Sequence, residues 1–109
     1  MNIPDSNVNS AEKIIVRVDN DLADLIPGFL ENRHKDVKAI QEAIEQGNYE
    51  TIRVLGHTMK GAGGGYGFDT ITDIGAALEQ SAKEKNSVEI GKQVSELSTY
   101  LQRVEVIYE

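Results

Sequence analysis

The chain has 109 residues, 11 Lys+Arg against 18 Asp+Glu, and a formal charge of −7 at neutral pH. A chain this long supports one domain with one core and buries roughly 60 to 70% of its unfolded surface, so it needs neither metal nor disulfide to fold. Two independent cores are excluded. The absence of Cys rules out a disulfide framework, cysteine redox chemistry and thiolate metal sites. The acidic balance, without a long basic run, sets the chain against nucleic acid and anionic lipid as partners. Ile14-Ile15-Val16 is about as long as any apolar run becomes, which predicts no membrane span, no secretory leader and a cytoplasmic location.

Residues 1–10 read as a flexible polar tail and 11–109 as a single helical domain. The start, with its own polar tail, leans toward a free-standing protein. Ala11 to Val18 is a short mixed segment, either a brief helix or an extended strip. From Asp19 the apolar spacing turns helical through Leu22, Leu25, Ile26, Phe29, Leu30, Val37, Ile40 and Ile44, with a polar gap around Arg33 and His34. Asp19, Asn20 or Asp21 can cap its start. Pro27 inside this stripe predicts two helices or one bent near Pro27-Gly28, and the unbroken stripe favours the bend. Gly47-Asn48 ends it.

A second helix runs from about Asn48 into a glycine cluster, with Tyr49, Ile52, Leu55, Met59 and Ala62 on one face. A third carries Ile71, Ile74, Ala77, Leu78 and Ala82, with Thr70 and Asp73 at capping-box spacing, and ends by Asn86. A fourth starts near Ser87 and shows a seam through Ile90, Val94, Leu97, Leu101, Val104 and Tyr108. Strand signals are essentially absent. The predicted fold is all-α: a monomeric antiparallel four-helix bundle with a short additional N-terminal element.

The chemically informative stretch runs from Leu55 to Phe68. His57 lies about 200° round the helix from Leu55, so the imidazole faces water when Leu55 faces the core. One turn away lie Arg53, Val54, Lys60 and Gly61, and Gly64 continues the row. A neutral imidazole is a nucleophile near pH 7, and Lys60 can offset the charge of a transferred phosphoryl group. Each glycine inside a helix costs on the order of 1 kcal/mol against Ala, so exposed glycines suggest a use for bare backbone. For Gly63, Gly64 and Gly65 a frayed helix end and loop is an equally good reading.

His57-Thr58-Met59-Lys60-Gly61-Ala62, followed by Gly67, resembles the motif of the histidine-containing phosphotransfer (HPt) domain family. The pattern from Asp21 to Leu30, the helix before Gly47 and Leu78-Glu79 after the motif are also similar to the family, so the resemblance spans about Val18 to Val104. It implies a phosphorelay intermediate in two-component signalling, not an enzyme with kinase activity of its own. The partners implied are receiver domains of response regulators or of hybrid histidine kinases. His57 is then the phosphoacceptor, Lys60 the phosphate stabiliser, and Arg53, Val54, Gly61 and Gly64 the docking surface. No cofactor is implied on this chain; Mg²⁺ is expected on the receiver. One departure is Gly63, where the family commonly has a hydroxyl residue, so that position offers no hydrogen bond to phosphate or imidazole.

Nucleotide binding is rejected because the glycine spacing fails: G-x-G-x-x-G from Gly61 ends on Tyr66 and from Gly63 on Phe68, and no strand precedes the run. A metal site is not expected, since His34 and His57 share no ligand spacing and no carboxylate lies a helical turn from His57. Glu79 to Lys85 reads as a solvated helix face. The rival reading is a helical interaction module that tethers or inhibits a receiver without carrying phosphate.

Overall fold

The computed structural model describes residues 12–109; the expected tail over 1–10 lies outside the described residues. The open segment is extended. Strand β1, Ile14–Val18, pairs in parallel with β2, Val104–Tyr108, in the register Ile14↔Val104 to Val18↔Tyr108. β-branched side chains suit a pleated surface. Alternate residues Ile14, Val16 and Val18 turn inward, while Lys13–Glu105 (3.4 Å) and Arg17–Glu109 (2.7 Å) form exposed ion pairs across the sheet. The fourth helix was expected to continue through Val104 and Tyr108. It stops at Arg103, and Val104 is already extended at φ −68°, ψ 134°. Steps from Leu101 to Val104 to Tyr108 fit a helix, but Val104, Val106 and Ile107 equally fit a strand, and β1 supplies the pairing that decides between them.

Asp19 caps a 3₁₀ turn, Asn20–Leu22, by accepting from the Asp21 N–H at 2.8 Å. Helix α1, Ile26–Gln46, then begins with Pro27 in its first turn. There the missing N–H would have had no intrahelical partner, so the proline starts the helix and no bend is needed. The expected bend is thereby corrected. The buried stripe runs Ile26, Phe29, Arg33, Val37, Ile40 and Ala43. Arg33 fills the anticipated polar gap from inside: its Nε donates to Asp36 Oδ2 at 2.8 Å and its guanidinium lies 4.8 Å from the centre of the Phe29 ring. Gly47, at φ 66°, closes the helix in the left-handed conformation that glycine adopts without strain.

Helix α2, Tyr49–Gly63, is capped by Asn48, which accepts from Thr51 N–H at 3.2 Å. A 3₁₀ turn, Gly64–Tyr66, and left-handed Gly67 lead into α3, Asp69–Lys83. The glycine end is folded: Tyr66 and Phe68 both pack on Phe29, at ring separations of 4.8 and 5.4 Å. The Thr70/Asp73 capping box does not form, because α3 starts at Asp69 after an uncapped Phe68 and already contains Thr70. Helix α4, Ser87–Arg103, is capped by Asn86. The four helices form the expected all-α bundle, with the terminal strand pair beside it. One core holds Ile26, Ile40, Ile52, Met59, Phe68, Ile71, Leu78, Ile90 and Leu97.

Helices α2 and α3 touch backbone to backbone. A Cβ on Gly56 would fall 2.7 Å from Glu79 N, one on Gly63 2.7 Å from Thr72 N, and one on Gly75 2.5 Å from Lys60 N. These three glycines are required by packing. Gly75→Ala is therefore expected to destabilise the fold by about 1–3 kcal/mol through overpacking, read as a lower denaturation midpoint. An unchanged midpoint would mean that α3 can move aside freely.

Candidate functional site

His57 projects from the middle of α2 with its side chain 65% exposed. Its Nδ1 lies 3.1 Å from Oε2 of Glu79 on α3. Glu79 is itself buried, with a side chain only 10% exposed, and its other oxygen, Oε1, meets Lys60 Nζ at 2.8 Å. Lys83 Nζ stands 4.0 Å from Oε2. The Lys60 hydrogen bond, aided by His57 and opposed by burial, holds the Glu79 carboxyl below its ordinary range. Glu79 is then ionised at neutral pH and can only accept, so Nδ1 carries the proton. In the neutral imidazole Nε2 then holds the lone pair, and it has no hydrogen-bond partner among the described residues.

The close glycine contact produces this geometry. Gly56 precedes His57 on α2, and Gly75 lies one turn before Glu79 on α3, so the missing side chains let the two backbones approach where the imidazole and carboxylate meet. Reading Glu79 to Lys85 as a solvated face is thus corrected at Glu79, and Ser81 and Ala82 within it are buried as well. A carboxylate does reach His57, from the neighbouring helix rather than along its own. The signal in the sequence was Gly75 four residues before Glu79, which marks the row of α3 that faces a close neighbour.

The other candidates lie on the exposed side of α2 around His57 and, for Gly64, in the turn that follows it. Arg53 is engaged by Glu50, with Nε 3.0 Å from Oε1, which raises the guanidinium pKa and lowers that of the carboxyl. Val54 is 47% exposed, and its carbonyl accepts from the Thr58 hydroxyl at 3.0 Å. Gly61 and Gly64 are exposed. A Cβ on Gly61 would meet nothing within 4 Å, and one on Gly64 would make only ordinary contacts with Thr72 Oγ1 at 3.5 Å and Asp69 Oδ1 at 3.9 Å. The fold therefore accounts for Gly56, Gly63 and Gly75, while nothing in the bundle requires Gly61 to be bare. At Gly63, Thr72 already fills the space that any side chain there would need. His34 stands exposed on α1, with no hydrogen bond to its ring among the described residues.

The bundle thus presents the His57 imidazole outward, with its inner nitrogen held by a carboxylate and a bare strip of backbone beside it. The Hpt domain family model matches residues 24–106, and the chain belongs to that family. Hpt domains act in phosphorelays as phosphotransfer carriers that work with receiver domains. No curated protein and no solved structure matches the chain. Among the described residues, no helix is long and apolar enough to cross a membrane.

Proposed function

We propose that the chain is a cytoplasmic, monomeric phosphorelay carrier in which His57 takes a phosphoryl group from a receiver aspartate or a kinase and passes it to a receiver aspartate. The contact between Glu79 and Nδ1 beside an exposed ring carries this reading. The Nε2 lone pair attacks phosphorus of an aspartyl phosphate; the N–P bond forms, the P–O bond to the acyl oxygen breaks, and the carboxylate leaves with the electron pair. No proton moves at Nε2, because the proton stays on Nδ1. The phosphorylated ring is cationic, and the Glu79 carboxylate offsets that charge, so the reverse transfer uses the same contacts. Lys60, one helical turn from His57 and paired with Glu79, turns to the phosphoryl oxygens. The receiver supplies its own acidic pocket and Mg²⁺, which neutralises the transferring oxygens, and in-line geometry comes from docking. Val54 and Arg53 border the docked receiver.

The test is transfer from a phosphorylated cognate receiver. It is expected to place on this chain a phosphate that is acid-labile and alkali-stable, as an N–P bond is. Binding of the receiver without any label would replace the carrier by the tether.

Glu79→Gln keeps an acceptor for Nδ1–H but removes the negative charge. Transfer is expected to slow by about tenfold through loss of a charge-assisted bond. A second readout has a defined sign. Because the folded pKa of Glu79 lies below its ordinary value of 4.5, its contribution to stability is complete above 4.5 and is lost as pH falls through the lower folded value. The variant should lack that portion of acid destabilisation in denaturant titrations, and unchanged transfer together with unchanged acid dependence would remove Glu79 from the site.

A further inference from the structure

On the side of α3 turned away from His57, an open cleft of about 530 Å³ lies between α3, α4 and the start of β1. That size is within the range of ordinary binding clefts. At 100° per residue, Thr70 and Ile74 stand about 180° and 140° round the α3 axis from Glu79, so the cleft and the histidine use opposite faces of one helix. Ile14, Ile74 and Tyr100 form its apolar part, and Asp73 and Glu96 add two carboxylates. No Lys, Arg or His lines it. Neither carboxylate has an ion-pair partner among the described residues, which is equally true of exposed Asp21, Asp24 and Glu42; what sets Asp73 and Glu96 apart is that they flank an apolar cleft. Burial, and then the charge of nearby Asp69, push the Tyr100 phenol above its ordinary pKa, so the phenol is neutral and Asp69 is a third carboxylate at this end of the bundle.

An apolar floor under two uncompensated carboxylates complements one kind of side chain: a long cation with an apolar stem. The geometry points to this cleft as a docking site for a short basic peptide segment of a partner protein, carrying Arg or Lys between apolar residues. The stem of the basic residue lies along Ile74 and Tyr100 while its head reaches Asp73 and Glu96. Apolar neighbours cover Ile14. A partner anchored there leaves the His57 face open, and its tethered domain meets the histidine at raised effective concentration. The inference does not depend on His57 carrying phosphate.

The experiment is a titration of the ¹⁵N-labelled chain with acetyl-Leu-Arg-Leu-Arg-Leu-amide at low ionic strength. Saturable amide shifts are expected over residues 70–74 and 95–100 and not around His57. Affinity should exceed that of acetyl-Leu-Glu-Leu-Glu-Leu-amide by at least about tenfold and fall about tenfold in Asp73→Asn/Glu96→Gln, in line with the loss of charge-assisted contacts. Circular dichroism and the melting curve of that variant should match those of the parent, since both carboxylates are exposed and unpaired. Absence of saturable shifts, equal binding of the acidic peptide, or indifference to the double substitution overturns the proposal. Spermidine producing the same shifts at equal concentration also overturns it, because the cleft would then be a nonspecific cation site.

Discussion

His57→Gln is expected to reduce labelling by a phosphorylated receiver to background, whereas His34→Gln leaves it at the level of the unaltered protein. The amide nitrogen of Gln has no available lone pair, so the acceptor is lost outright rather than weakened. The fold should survive, because His57 is largely exposed and Gln retains a donor for Glu79. Equal helicity and equal melting of the two variants would separate loss of chemistry from loss of structure. His34 is the fitting control: it is the second of the two histidines and is exposed on a helix, but no carboxylate holds its ring. Its neighbour Arg33 turns inward to Asp36 and Phe29. Labelling that survives His57→Gln would place the phosphoacceptor elsewhere and end the assignment.

The helices could be read from apolar spacing because each presents one continuous stripe to one core, and Asn48, Asn86 and Gly47 mark their boundaries with local hydrogen bonding and backbone chemistry. What escaped that reading depends on contacts distant in the chain. Val104 to Tyr108 satisfies helical and strand periods alike, and only pairing with β1, about 90 residues earlier, selects the strand. Pro27 was read against the wrong helix start: placed in the first turn, it agrees with the helix instead of bending it. Arg33 looks like a solvated interruption until Asp36 and Phe29 are both brought against it. The site divides in the same way. His57, Lys60 and Gly61 lie within five residues and share the exposed side of one helix, so local spacing places them together. Glu79 joins them only through the close approach of α2 and α3, and its charge and hydropathy do not distinguish it from the Lys and Glu residues that follow.

Gly61→Leu is expected to slow phosphotransfer by at least about a hundredfold while leaving the bundle as stable as before or slightly more so. A Cβ at this position meets nothing within 4 Å, so a side chain enters solvent rather than the core. Replacing an exposed helical glycine gains up to about 1 kcal/mol of helix propensity. A docked receiver would meet four added carbons one turn from His57, and the reacting atoms must approach to about 3–3.5 Å. Displacement of even about 1 Å costs on the order of a hundredfold in rate. Gly75→Ala gives the opposite pattern, because its Cβ would strike Lys60 N and Gly56 O between α2 and α3 before any partner arrives. It should lower stability and affect transfer only by displacing Glu79 and Lys60. The pair of substitutions therefore separates clearance for a partner from clearance for a helix, with transfer rate and denaturation midpoint as the two axes. If Gly61→Leu transfers at the normal rate, the receiver approaches His57 from the α3 side, over Glu79 and Lys83, and the bare strip on α2 has no part in docking.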